Sequence, residues 1–114
     1  MSKFDEALDK YRSSMSEIGL PAPDDNLLTA VTKGLGPSIY LADASKVSCS
    51  DQSEKDRVKK NFLIGKLGCE DSADLDVAIN AVCDQMGSGN STKHRAVFYY
   101  LLVKQTGLES KYLN

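Results

Sequence analysis

The chain has 114 residues, 41% of them hydrophobic, with 14 Lys and Arg against 16 Asp and Glu for a net charge of −2. That length suits one domain, 1–114, able to bury roughly two-thirds of its unfolded surface without disulfides or metal. The near-balanced charge and ordinary apolar content exclude disordered, collagen-like, disulfide-scaffold and strongly basic classes.

Residues 3–18 read as an amphipathic helix. Phe4, Leu8, Tyr11, Met15 and Ile18 fall on one stripe, while Asp5, Glu6, Asp9, Lys10 and Arg12 fill the other side. Ser2 opens it and Gly19 closes it, and Pro21 and Pro23 make a stiff connector. Asp24 or Asp25 caps a short second helix carrying Leu27, Leu28, Val31 and Leu35, which ends at Gly34, Gly36 and Pro37. Residues 36–50, GPSIYLADASKVSCS, read as a packed loop with one helical turn at Ile39, Tyr40 and Leu41. Loops of that length without regular structure are uncommon and often functional.

A third helix starts near Asp51, with Glu54 as its capping-box partner, and runs to Gly68. At about 100° per residue, Val58 and Phe62 share one face and Leu63, Ile64 and Leu67 another. Lys55, Lys59 and Lys66 fall between them, so this helix is contacted from two sides. Gly65 weakens its end by about 1 kcal/mol relative to alanine. The fourth helix, capped by Asp71 or Ser72, repeats Leu75, Ala78, Ile79, Val82, Cys83 and Met86 on one face, with Asp74 and Asp76 at its positive end. GSGNS at 87–91 breaks it, and Asn90 or Ser91 caps a fifth helix at about 92–106. From Ala96 to Val103 that segment is apolar almost all round. Its Val, Phe and Tyr favour sheet, but no second strand-like run exists to pair with it. The expected fold class is therefore all-α: a single-domain bundle of about five helices with a buried C-terminal helix.

The three cysteines, Cys49, Cys69 and Cys83, contain no C-x-x-C pair. Their odd number, with no apolar leader in MSKFDEALDK, points to reduced thiols in a cytoplasmic protein. The longest apolar run, 96–103, is well short of the roughly 18 residues that read as a membrane span. His94 is the single histidine, so no His-pair metal site is expected; between Lys93 and Arg95 it reads as a capping or surface residue. Asp71, Asp74, Asp76 and Asp84 lie at helical spacing and not in a calcium-loop pattern. Nucleophile-elbow, phosphate-loop and dinucleotide signatures are absent, so no catalytic residue and no cofactor is assigned. Cys83 reads as core packing and Cys69 as partly buried. Cys49, among serines just before a helix start, is the thiol with a reactive alternative, although Asp51 opposes its thiolate.

Four strings occur together: GPSIYLADASKVS at 36–48, VKKNFLIGKLG at 58–68, LDVAINAV at 75–82 and HRAVFYYLLVK at 94–104. With them the chain resembles the small bacterial proteins of domain-of-unknown-function family 2853 over nearly its whole length, the aromatic run being the most specific part. The resemblance implies a helical, bacterial, cytoplasmic protein and transfers no catalytic residue. The chain departs from the family pattern at Gly65, in place of a lysine-like residue, and at Thr106-Gly107-Leu108, in place of an aromatic, Gly and Lys.

Charge is segregated along the chain. The net values are −3 for 1–26, −1 for 27–54, +4 for 55–66, −5 for 67–92 and +3 for 93–114. Two accounts fit: lysines of the third and fifth helices pair with aspartates of the fourth, or a basic patch meets an anionic partner. A pI near 5.3 argues against nucleic acid as a partner. Lys93, Val97, Tyr100 and Lys104 share a stripe of the fifth helix that reads as solvent-facing, because lysine is rarely buried unpaired. The expected function is a non-enzymatic binding module for a macromolecule or anionic ligand, contacting it through Lys93, Tyr100, Lys104, Lys55, Lys59 and Lys66. The alternative is an enzyme or a thiol-based redox-responsive protein that uses the 36–50 loop, with Ser38, Tyr40, Asp43 and Cys49.

Overall fold

The first helix begins where a serine can close its open end. In a computed structural model, which describes residues 2–41, 45–87, 90 and 93–113, Ser2 Oγ accepts the Asp5 amide at 3.1 Å and α1 runs Lys3–Glu17. Its buried side is Ala7, Leu8, Tyr11 and Met15. Asp24 is the cap of α2, Asp25–Leu35, its carboxylate accepting the Asn26 and Leu27 amides. Gly36 ends α2 at φ 65°, a conformation that favours glycine, and Pro37 then opens a 3₁₀ turn, Gly36–Tyr40. The expected helical turn within 36–50 is present.

Asp51 caps α3 by accepting the Ser53 amide at 2.9 Å, but α3 is short, Gln52–Arg57. The chain continues as a π-helix, Val58–Ile64, in which Gly65 N–H reaches Lys60 O at 3.0 Å and Leu67 N–H reaches Phe62 O at 2.9 Å. This corrects the expected uniform helix to Gly68. The wide turn lets adjacent Phe62 and Leu63 both point inward, which is how one segment is contacted from two sides. A Cβ at residue 65 would lie 2.8 Å from Asn61 O, so glycine accommodates the turn instead of merely weakening it.

α4, Ala73–Met86, buries all six residues of its predicted stripe. α5 runs Arg95–Thr106, with every residue from Ala96 to Val103 buried. His94, and not Asn90, occupies its cap position; Ser91 lies outside the described residues. Just before α5, residues 45–47 pair with 93–95: Val47 N–H donates to Lys93 O at 2.8 Å and Arg95 N–H to Ser45 O at 2.7 Å. Gly107, at φ 71°, ends α5, and a 3₁₀ turn at Glu109–Lys111 follows. Helices α1, α2 and α4 all pack on α5, and Tyr99 of α5 stacks on Phe62 of the π-helix. The result is an all-α bundle of five α-helices among the described residues, with α5 at its centre. No described helix is long and apolar enough to cross a membrane.

Candidate functional site

Residues 36–50 are fastened at two apolar points, buried Ile39 and buried Val47, while Tyr40 (49% exposed) and Leu41 (60%) face solvent. Ser38 Oγ donates to Leu35 O at 2.8 Å, a local turn bond. Asp43 lies outside the described residues. Cys49 and Cys83 form a disulfide with Cα atoms 6.0 Å apart, joining this segment to α4. This corrects the expectation of reduced thiols: the pairing of 45–47 with 93–95 fixes the approach of Cys49, and Cys83 stands at the end of the α4 stripe to meet it. Cys83 is thus both packed and bonded, and half-buried Cys69 is the free thiol.

Arg95 ties the same segment to two helices. Its Nη2 donates to Glu54 Oε1 at 2.6 Å and to Lys46 O at 3.1 Å, and its Nη1 donates to the Tyr99 hydroxyl at 3.1 Å. Glu54 Oε2 accepts from Arg57 Nη2 at 2.7 Å. Burial pushes the Glu54 carboxyl upward, and the hydrogen bonds and charges of Arg57 and Arg95 outweigh it, holding the group below its ordinary value. Glu54 is therefore no capping-box partner, because its carboxylate is committed to two arginines. Neither Glu54 nor Arg95 stands among the site residues read from the sequence. One signal was available: Glu54 sits one turn before Val58, a carboxylate on an otherwise apolar stripe.

The lysines are largely engaged within the chain. Lys59 Nζ lies 3.0 Å from Asp76 and 3.1 Å from Asp71, and these two acceptors, Asp76 foremost, raise its ammonium above the ordinary value. Lys55 Nζ donates to Asn80 Oδ1 at 3.0 Å, so Lys55 and Lys59 meet α4 side by side. Lys66 Nζ lies 5.9 Å from the centre of the Tyr112 ring. Lys104 is exposed, with Glu109 3.9 Å away.

The stripe expected to face solvent on the fifth helix is instead mostly core. Val97 and Tyr100 are buried, and the Tyr100 hydroxyl accepts the Asp24 amide at 2.9 Å, tying α5 to the start of α2. Lys93 precedes the helix and is itself buried, its Nζ donating to Asn90 O. The flanking lysines therefore do not define one exposed face.

His94 is also buried, which corrects its surface reading. Its ring lies 5.2 Å from that of Tyr11 at a 55° tilt, and its side chain makes no capping hydrogen bond. Burial first, then the charges of Lys10 and Lys46, hold the imidazole below its ordinary value. It lines a cleft of about 300 Å³ with Lys10, Ser13, Ser14, Glu17 and Ile18 of the α1 region and with Asn90. Among the described residues, no group of three or more His, Cys, Asp and Glu is placed to hold a metal ion.

Comparison with curated proteins gives no match. A family model described as "Protein of unknown function (DUF2853)" matches residues 10–110, and the chain belongs to that family.

Proposed function

We propose that this domain is a thiol–disulfide-responsive interaction module. When Cys49 and Cys83 are joined, the 36–50 segment is fixed to α4; when they are reduced, it is released to rearrange. The observation that carries this reading is the covalent link between α4 and a segment that also exposes Tyr40 and Leu41. Oxidation removes two electrons and two protons from the thiol pair, and a low-molecular-weight disulfide accepts them as it becomes two thiols. A small dithiol reverses the step. The engagement of Lys55 and Lys59 by α4 supports internal pairing over a basic docking face.

The two states are accessible to experiment. Closing a sequence separation of 34 residues stabilises the chain by about 4 kcal/mol on chain-entropy accounting. A domain with the usual stability of about 5–15 kcal/mol keeps a folded reduced form. Hydrogen exchange, followed before and after reduction, reads the release. The amides of Val47 and Arg95, which bond across the 45–47 and 93–95 pairing, are expected to exchange at least about tenfold faster in the reduced protein. The α1 amides should change far less, and a Cys49→Ser/Cys83→Ser variant should behave as the reduced form does. Equal exchange of the segment in both states overturns the proposal. So does uniform acceleration across every helix, which would make the bond a purely structural staple.

A further inference from the structure

The cleft between α1 and the entry to α5 has the features of a binding site, and nothing in the thiol reading uses it. We infer that it binds a small molecule through one oxyanion group, a carboxylate or a phosphate. Its wall holds His94, 6% exposed, whose side chain makes no capping hydrogen bond to α5. A neutral imidazole offers one N–H donor and one ring-nitrogen acceptor to a molecule that enters the cleft.

The surrounding chemistry sets the sign of that partner. Lys10 brings an ammonium and Ser13 and Ser14 bring hydroxyls along the lip of α1. The charges that act on the ring are those of Lys10 and Lys46, both cations. Lys93 and Arg95 flank His94 in sequence, but their side-chain charges are engaged with Asn90 O and with Glu54. Behind the imidazole, buried Tyr11 packs its ring 5.2 Å from that of His94. The field around the imidazole is therefore positive, which disfavours a metal cation and favours an anion. Glu17 sits seven residues, or about 10 Å of helix, beyond Lys10 on the same cleft. Its carboxylate leaves room for one anionic head near Lys10 and repels a second near Ile18. That selects small ligands with a single oxyanion and rejects polyanions such as nucleic acid. A volume of about 300 Å³ is at the small end of ligand sites, which agrees.

Because His94 is the only histidine, its ring signals in an NMR spectrum report the site without ambiguity. The intact protein is titrated with inorganic phosphate, acetate and chloride at matched ionic strength. An oxyanion beside the ring stabilises the imidazolium, so the His94 titration midpoint should rise by about half a pH unit or more in the binding anion relative to chloride. The Ser13 and Ser14 amide signals should move saturably with it. Response to phosphate alone identifies a phosphate ligand, response to acetate alone a carboxylate, and either supports the site. Exposed Lys10 can be changed without touching the core, and Lys10→Gln should weaken the binding about tenfold, the loss of one charge-assisted hydrogen bond. Identical midpoints in all three salts refute the inference, as does a saturable response that Lys10→Gln leaves unchanged. The titrations are run with the Cys49–Cys83 bond intact throughout, because Lys46, which acts on the ring, pairs with residue 94 beside that bond; failure of the anion response then leaves the thiol reading untouched.

Discussion

Replacing Arg95 with methionine removes the guanidinium that holds Glu54 Oε1, Lys46 O and the Tyr99 hydroxyl together, and leaves a carboxylate in a place water barely reaches. The Glu54 side chain is 11% exposed and that of Arg95 17%. Removing one partner of such a buried pair costs about 3–5 kcal/mol, because the remaining charge has lost both water and its counter-ion. Arg57 still grips Oε2, but it is 62% exposed and its attraction is screened. With Oε2 still held by Arg57, the expected loss for Arg95→Met lies at the low end, about 3 kcal/mol. Because the same substitution also breaks the hydrogen bonds to Lys46 O and the Tyr99 hydroxyl, the ionic part must be isolated by a cycle with Glu54→Gln. In the double variant no buried carboxylate remains to be orphaned, so it should be more stable than the two single losses add up to, by about 1–2 kcal/mol. Urea unfolding of the four proteins measures this, provided the denaturant slopes agree. Additivity within about 0.5 kcal/mol would refute the claim that Glu54 and Arg95 form one buried ionic unit.

Tyr100→Ala should destabilise the domain as severely as Phe98→Ala, by about 3–5 kcal/mol, since both rings are buried; chemical unfolding of the pair checks it, and a much milder Tyr100→Ala would return that ring to the surface. Tyr100→Phe, which deletes only the acceptor for the Asp24 amide, should cost about 1–2 kcal/mol. Acid should weaken the fold in two windows. The His94 imidazole sits below its usual 6.5, so the unfolded chain takes up that proton first and stability falls as pH drops below about 6.5 toward the folded value. The Glu54 carboxyl sits below its usual 4.5, so its contribution is complete above that pH and is lost as pH falls through the folded value. Urea midpoints measured from pH 7 to pH 5 should decline in the native protein and flatten in His94→Gln; an unchanged slope would show that His94 is not the group responsible.

The parts of the fold legible in the sequence are those set by one-dimensional periodicity. The α4 stripe appears residue for residue, and the apolar circumference of 96–103 already requires a helix with neighbours on all sides. Other features depend on where the chain travels between helices. The Cys49–Cys83 bond and the Arg95–Glu54 pair join positions 34 and 41 residues apart, and no local pattern encodes either. Tyr100 was misplaced for a different reason. A lysine near a helix end suggests water, but Lys93 lies before α5 begins and satisfies its amine on a backbone carbonyl, so it says nothing about the face that carries Tyr100. The two apolar faces of 58–67 were visible, whereas their expression as a π-helix depends on backbone clearance at Gly65.

The central position of α5 also has a consequence for synthesis. Translation runs from α1 toward α5, so the helix on which α1, α2 and α4 lay their apolar sides is made after all of them. Until residues 95–106 have left the ribosome, the earlier helices have no common surface to close upon. They emerge as a nascent chain with exposed Leu, Val and Met faces, the condition in which chaperones bind and aggregation competes with folding. A ribosome that stalls or terminates ahead of Arg95 therefore releases a chain that has lost the middle of its core, not a bundle shortened at one edge.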